Sequence, residues 1–186
     1  KGPSGIACRN ARPDPMIAAV VLAAGEGSRF GGPKQRLLLP SVLGAVRSSS
    51  VDEIVVVTGA YPIDADARVV HCSEWEQGPG ASLRCGLHAL PAETEAAVVV
   101  LAAGPDLSAA HVDRIVEAWR AGGGDVVVAS YGGDRGHPIV LGRAVWPLVP
   151  DEGARALDPV LVPCDDLGPP GDVDFADDVP ARLREG

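Results

Sequence analysis

A chain of 186 residues is near the size of one domain and too short for two full α/β domains. Its net charge of −9, with no run of Lys or Arg, opposes a phosphate backbone, so nucleic acid is not an expected partner. Apolar residues make up 46% and charged residues 22%, and no apolar run approaches the roughly 20 residues that span a bilayer, so no membrane partner and a cytoplasmic location are expected.

Residues 1–15, rich in Pro, Gly and Arg, lack the apolar stretch of a signal peptide and read as a tag remnant or disordered tail. That places the domain at 16–186, with Met16 as a candidate natural start. Residues 17–23 form a short continuous apolar run that ends in small residues and glycine, the pattern of a strand buried on both faces. Similar runs recur at 54–57, 96–102 and 126–129, separated by helically spaced segments at 42–46, 83–90 and 112–119. This alternation predicts an α/β fold with a doubly wound, mostly parallel sheet. Ligands of such sheets sit beyond the carboxyl ends of the strands, which directs attention to loops 24–36, 78–82 and 103–108. Ser82 and Ser108 stand where N-caps of the second and third helices are expected. Trp75, Trp119 and Trp146 are assigned to packing. Cys8, Cys72, Cys85 and Cys164 are scattered without a CxxC pair, so free thiols are expected rather than a zinc site or a disulfide framework. Beyond Pro147 the chain is rich in Pro, Gly and Asp, with a short helix expected to run to Arg184.

The loop after the first strand reads Leu22-Ala23-Ala24-Gly25-Glu26-Gly27-Ser28-Arg29-Phe30-Gly31-Gly32-Pro33-Lys34. Its glycines let backbone N–H groups approach phosphate oxygens, and Arg29 and Lys34 supply positive charge against an acidic background. A basic pair inside a four-glycine loop has no obvious packing role. A P-loop is excluded, because Gln35 rather than Ser or Thr follows the lysine. A dinucleotide fingerprint fails too, with Phe30 at a required glycine and Thr58-Gly59 where the second strand needs an acid, which argues against a nicotinamide oxidoreductase.

The loop resembles the signature of nucleotidyltransferases that build nucleotide-linked sugars and cofactors, specifically the molybdenum-cofactor, MobA-like NTP transferase branch. The resemblance extends to Gly78-Pro79-Gly80-Ala81-Ser82-Leu83 as a second nucleotide loop, to Gly136-His137-Pro138, to Gly153-Ala154-Arg155 and to Asp172-Val173-Asp174. It implies the Rossmann-like nucleotidyltransferase fold, with Arg29 and Lys34 as the catalytic cations. Nucleotide contacts are implied at Leu22, Ala23, Ala24, Gly25, Gly27, Arg29, Lys34, Gly80 and Ser82, and acceptor contacts at His137 and Arg155. The implied reaction moves a nucleoside monophosphate onto a phosphorylated, molybdopterin-like acceptor with release of pyrophosphate. Leu-Ala-Ala-Gly is more like the cytidylyl branch, which makes CTP the expected substrate.

Two departures stand out. Relatives place a Mg²⁺-binding aspartate directly after the fourth strand, whereas this chain has Leu101-Ala102-Ala103-Gly104-Pro105-Asp106. Alanine cannot ligate Mg²⁺, which leaves Asp174, and Asp106 as a displaced substitute, as the metal ligands that resemblance suggests. The second departure follows Leu39: a Gly-Gly-x-Pro turn is expected, yet Pro40-Ser41-Val42 comes at once, so either the loop is shortened or residues are missing from the chain there. The missing carboxylate also opens an alternative, a degenerate relative that binds nucleotide or pterin without turnover, as carrier, chaperone or sensor.

Overall fold

The computed structural model describes residues 14–184. The expected tail therefore lies outside the described residues, except for Asp14 and Pro15, as does Cys8. In chain order the elements are β1 (Ile17–Ala23), α1 (Gln35–Arg47), β2 (Glu53–Thr58), β3 (Arg68–His71), α2 (Pro79–His88), β4 (Ala96–Leu101), α3 (Ala109–Arg120), β5 (Val126–Tyr131), β6 (Asp134–Gly142) and β7 (Val160–Pro163), with short 3₁₀ turns between them. The seven strands form one sheet in the order β3-β2-β1-β4-β6-β5-β7. Every pairing is parallel except those of β6, which runs antiparallel to β4 and β5.

The apolar runs are continuous because the central strands are buried on both faces. Ile17, Ala19 and Val21 of β1 and Val98 and Val100 of β4 meet α1 and α3 through Leu39, Val42, Val46, Val112 and Ile115. The alternate residues Ala18, Val20, Val55, Val57, Ala97 and Val99 face Leu83 and Leu87 of α2. A period of two along each strand thus feeds two separate apolar layers.

At Gly86 α2 lies close on the sheet, where a Cβ would stand 2.4 Å from Val20 Cγ1 and 2.8 Å from Val57 Cγ2. Those neighbours are β-branched side chains on central strands, with little freedom to move aside. Gly86→Ala is therefore expected to lower stability by about 1–3 kcal/mol through overpacking, despite alanine's better helix propensity. A urea midpoint equal to or above that of the wild type would contradict this packing.

Three local expectations are corrected. α2 begins four residues before Leu83, with Gly78 as N-cap and Pro79 at the first helical position, so Ser82 lies inside the first turn rather than capping it. α1 is longer than its apolar spacing suggested and passes through Pro40 without a break, so the expected turn is replaced by helix. Cys72 and Cys85 form a disulfide with Cα atoms 5.9 Å apart, while Cys164 is free and buried. The pair joins the end of β3 to α2, two elements that meet only in the folded sheet. Ser108 does cap α3: its N–H donates to Nδ1 of His111 at 3.1 Å, and the buried His111 ring reaches Gly168 O through Nε2 at 2.8 Å.

Candidate active site

The glycine-rich loop leaves the carboxyl end of β1 and enters α1. Ala24 O accepts the Ala60 N–H at 3.0 Å, fixing the exit from the strand. Gln35, buried at the start of α1, donates from Nε2 to Gly25 O at 2.8 Å and ties the loop to the helix. Gly27 is required twice over: its φ is +63°, and a Cβ there would lie 2.4 Å from Gly32 O. A turn closed by the Phe30 N–H on Gly27 O, at 2.9 Å, completes the loop.

Three adjoining cavities open at the carboxyl ends of β1 and β4. One, of about 400 Å³, lies between the loop and the start of α2, and its lining includes Leu22, Ala24, Gly25, Lys34, Trp75 and Ser82. A second, of about 530 Å³, lies beside the β5–β6 hairpin and includes Tyr131, Arg135, Gly136 and His137. A third, of about 210 Å³, includes Glu152, Arg155 and again His137. The first two share Leu101 and Asp172, and the last two share Leu101 and His137, so the three form one crevice.

Of the residues expected to touch nucleotide, Leu22, Ala24, Gly25, Lys34 and Ser82 line the 400 Å³ cavity. Ala23 is buried in the sheet, and Gly80 is packed against the chain at Pro150 and Asp151, with its N–H on Asp151 O at 2.9 Å. Gly27 shapes the loop from behind. Arg29 stands outside the cavity, its side chain 67% exposed, with Nη1 2.8 Å from Asp174 Oδ2. Lys34 is only 13% exposed and lies 3.5 Å from Asp174 Oδ1 and 3.7 Å from Asp172 Oδ1, while Nζ also donates to Val173 O. Both oxygens of Asp174 thus face the two cations that resemblance assigns to phosphate.

His137, for which resemblance implies an acceptor contact, lies within β6. Its Nδ1 is buried without a hydrogen-bond partner among the described residues, and burial holds its pKa below the ordinary histidine value, so the ring is neutral at neutral pH. Tyr131 donates its hydroxyl to His137 O at 2.8 Å, and burial raises the phenol pKa. Arg155 accepts at its backbone carbonyl from Arg135 Nη1 at 2.9 Å.

The donor set does not fit a protein-built Mg²⁺ site. Ala103 is half-buried in a small apolar cluster with Leu38, Val173 and Val179, and its carbonyl accepts the Val173 N–H at 3.1 Å. Asp106 lines neither large cavity, and its Oδ1 is 2.5 Å from Arg182 Nη2. Among the described residues no cluster of three or more His, Cys, Asp or Glu is placed to hold a metal.

Three lining residues escaped the sequence reading as site residues. Asp172, which borders both large cavities, was matched only as part of the Asp172-Val173-Asp174 motif, with no role of its own; Trp75 was assigned to packing; Gln35 had no signal beyond its place after Lys34.

A model of the MobA-like NTP transferase domain matches residues 19–158. The nicotine blue oxidoreductase of Paenarthrobacter nicotinovorans is 30% identical over 167 residues, covering 76% of this chain and 80% of that protein. The 2-C-methyl-D-erythritol 4-phosphate cytidylyltransferase of Stenotrophomonas maltophilia is 34% identical over 127 residues, covering 56% of this chain and 53% of that protein. A 31% identical match to the bifunctional protein GlmU of Kineococcus radiotolerans covers 63% of this chain but only 27% of that longer protein. Among solved structures, Rv0371c of Mycobacterium tuberculosis H37Rv superposes with a TM-score of 0.70 at 27% identity, over 87% of this chain and 95% of that one. The fold is the Rossmann-like one of the nucleotide-diphospho-sugar transferases, and the chain belongs to the MobA-like NTP transferase domain family.

Proposed function

We propose that this protein is a nucleotidyltransferase that binds CTP in the 400 Å³ cavity and transfers CMP to a phosphorylated, molybdopterin-like acceptor seated in the 530 Å³ cavity. The observation that carries the reading is the junction of the two cavities at Leu101 and Asp172, beside Lys34. An acceptor phosphate oxygen attacks the α-phosphorus, the bond from that phosphorus to the oxygen bridging to the β-phosphate breaks, and pyrophosphate leaves with the released negative charge. Lys34 and Arg29 stabilise that charge once they turn from Asp174 to the phosphates; one well-placed donor of this kind is worth roughly 3–4 kcal/mol. His137, Arg135 and Arg155 are the groups available to orient the acceptor. The cytidylyltransferase relative acts, by its name, on a phosphorylated small molecule, which supports both the base and the acceptor class.

Incubation with α-labelled CTP, GTP or UTP, Mg²⁺ and molybdopterin tests the transfer. Label moving to the pterin with release of pyrophosphate is expected. Binding without pyrophosphate release would favour the second reading, a nucleotide-binding relative without transferase turnover. Ala103 among apolar neighbours and the ion-paired Asp174 favour that alternative, as does a relative with an oxidoreductase name across four-fifths of its length.

The base preference follows from Ala24, which is buried and lines the cavity. Its methyl group leaves less room for a purine against the backbone than the glycine of guanosine-selective relatives. CTP is expected to raise the melting temperature more than GTP does; the reverse order in a thermal-shift screen would contradict the assignment.

A further inference from the structure

We infer that Trp75 is the stacking platform for the nucleobase, and so the residue that sets base-dependent affinity in the 400 Å³ cavity. The inference rests on the nucleotide reading of that cavity. Trp75 is the one aromatic side chain among the described residues lining it, in a chain with only 4% aromatic residues. Lys34 is the one cationic side chain of the same lining. Phosphates are drawn to Lys34, which leaves the base to the remaining wall, where Leu22, Ala24, Pro79 and the indole supply flat or apolar surface.

The ring is held in place independently of any ligand. Gly59 has an ordinary backbone conformation that any residue adopts, yet a Cβ there would stand 2.6 Å from both Cβ and Cγ of Trp75 and 2.7 Å from Ala24 O. Close approach of Trp75, rather than backbone strain, therefore demands glycine at the end of β2. Gly59 is thus wedged between the root of the Trp75 side chain and the strand exit at Ala24, and Trp75 packs against the apolar cluster that holds Ala24, Val57 and Cys72. Its backbone is fixed in a 3₁₀ turn over Trp75–Gln77, with the Gly78 N–H donating to Trp75 O at 3.2 Å and the Gln77 N–H to Glu74 O at 3.0 Å. The indole N–H has no partner among the described residues, whereas that of Trp146 donates to Leu141 O at 3.1 Å. A half-buried indole that packs on the core and lines a cavity shared with a single cation is the arrangement that stacking on a base requires.

Calorimetric dissociation constants for CTP and for inorganic tripolyphosphate, measured in EDTA, test this. Trp75→Leu is expected to weaken CTP binding roughly 5- to 150-fold while leaving tripolyphosphate unchanged, and Trp75→Phe to retain most of the CTP affinity. Unchanged CTP affinity in Trp75→Leu would overturn the inference, and so would equal losses for CTP and tripolyphosphate, the signature of a merely structural role. If Trp75→Leu does not fold, the double variant Trp119→Phe/Trp146→Phe leaves Trp75 as the sole tryptophan. Its emission should then be quenched by CTP and not by tripolyphosphate, and emission indifferent to CTP would overturn the inference. Failure of both ligands to bind the wild type would instead overturn the nucleotide reading itself, and this inference with it.

Discussion

Lys34→Ala is expected to weaken nucleoside triphosphate binding about ten- to a hundredfold, the equivalent of roughly 1.5–3 kcal/mol for one charge-assisted contact. Lys34 is the basic side chain that lines the loop's cavity, and it is largely shielded from solvent, so its contact to phosphate is less diluted by water than one made by the exposed Arg29. In the free protein its ammonium group faces Asp174 and Asp172, and incoming phosphates must take that place. Removing the competitor should act in the opposite direction, so Asp174→Asn is expected to tighten CTP binding in EDTA. Because Lys34 also donates to Val173 O, the alanine variant loosens the 172–174 segment, and Lys34→Arg, which keeps the charge, separates the two effects by restoring part of the affinity. Leu37→Ala, a packing substitution under the loop, should leave binding unaltered. Equal dissociation constants for wild type and Lys34→Ala by calorimetry would remove the loop's assigned role.

Ala103→Asp is expected to create a dependence on Mg²⁺ that the wild type lacks. In the wild type the position after β4 carries a methyl group in an apolar cluster, so a metal brought in with the nucleotide finds no carboxylate there and meets at most the single carboxylate of Asp174 once the cations have turned to the phosphates, a weak hold for Mg²⁺. The wild type should then bind CTP almost equally well in Mg²⁺ and in EDTA, and turn over slowly. In Ala103→Asp the ratio of the two affinities should rise by about tenfold, the order of one charge-assisted contact, and transfer should rise if the acceptor is of the proposed class. The new carboxylate lies near Leu38, Val173 and Val179 and close to two acidic residues, so some loss of stability without metal is also expected. Rapid, strictly Mg²⁺-dependent transfer by the wild type that disappears in Asp106→Ala would show that Asp106 leaves Arg182 to serve the metal. The non-turnover reading would then be wrong.

What the sequence revealed follows the physics of burial. β1, β2, β4 and β5 were legible because strands covered on both faces are written as unbroken apolar runs. β6 was not, because the Gly136-His137-Pro138 stretch interrupts its pattern and looks like a turn. β3 and β7 are four-residue edge strands, largely exposed, and carry too little pattern to register. The glycine-rich loop stood out because its glycines and cations are contiguous in the chain. The cavity-lining place of Trp75 and the Cys72–Cys85 bond were not, because each gains its meaning only when a distant segment is laid against another. Ser82 was misplaced as a cap because a serine before a helical run fits an N-cap and a first-turn residue alike, and Pro79 at the first helical position was the stronger signal.

The central claim is that a nucleoside triphosphate occupies the crevice at the carboxyl ends of β1 and β4. A crystal structure of the complex with a non-hydrolysable CTP analogue tests it most directly. The account predicts triphosphate oxygens within hydrogen-bonding distance of Lys34 Nζ, Asp174 displaced from that ammonium group, and cytosine against the Trp75 ring. An analogue bound with its phosphates away from the 24–34 loop, or with Lys34 still paired to Asp174, would contradict it.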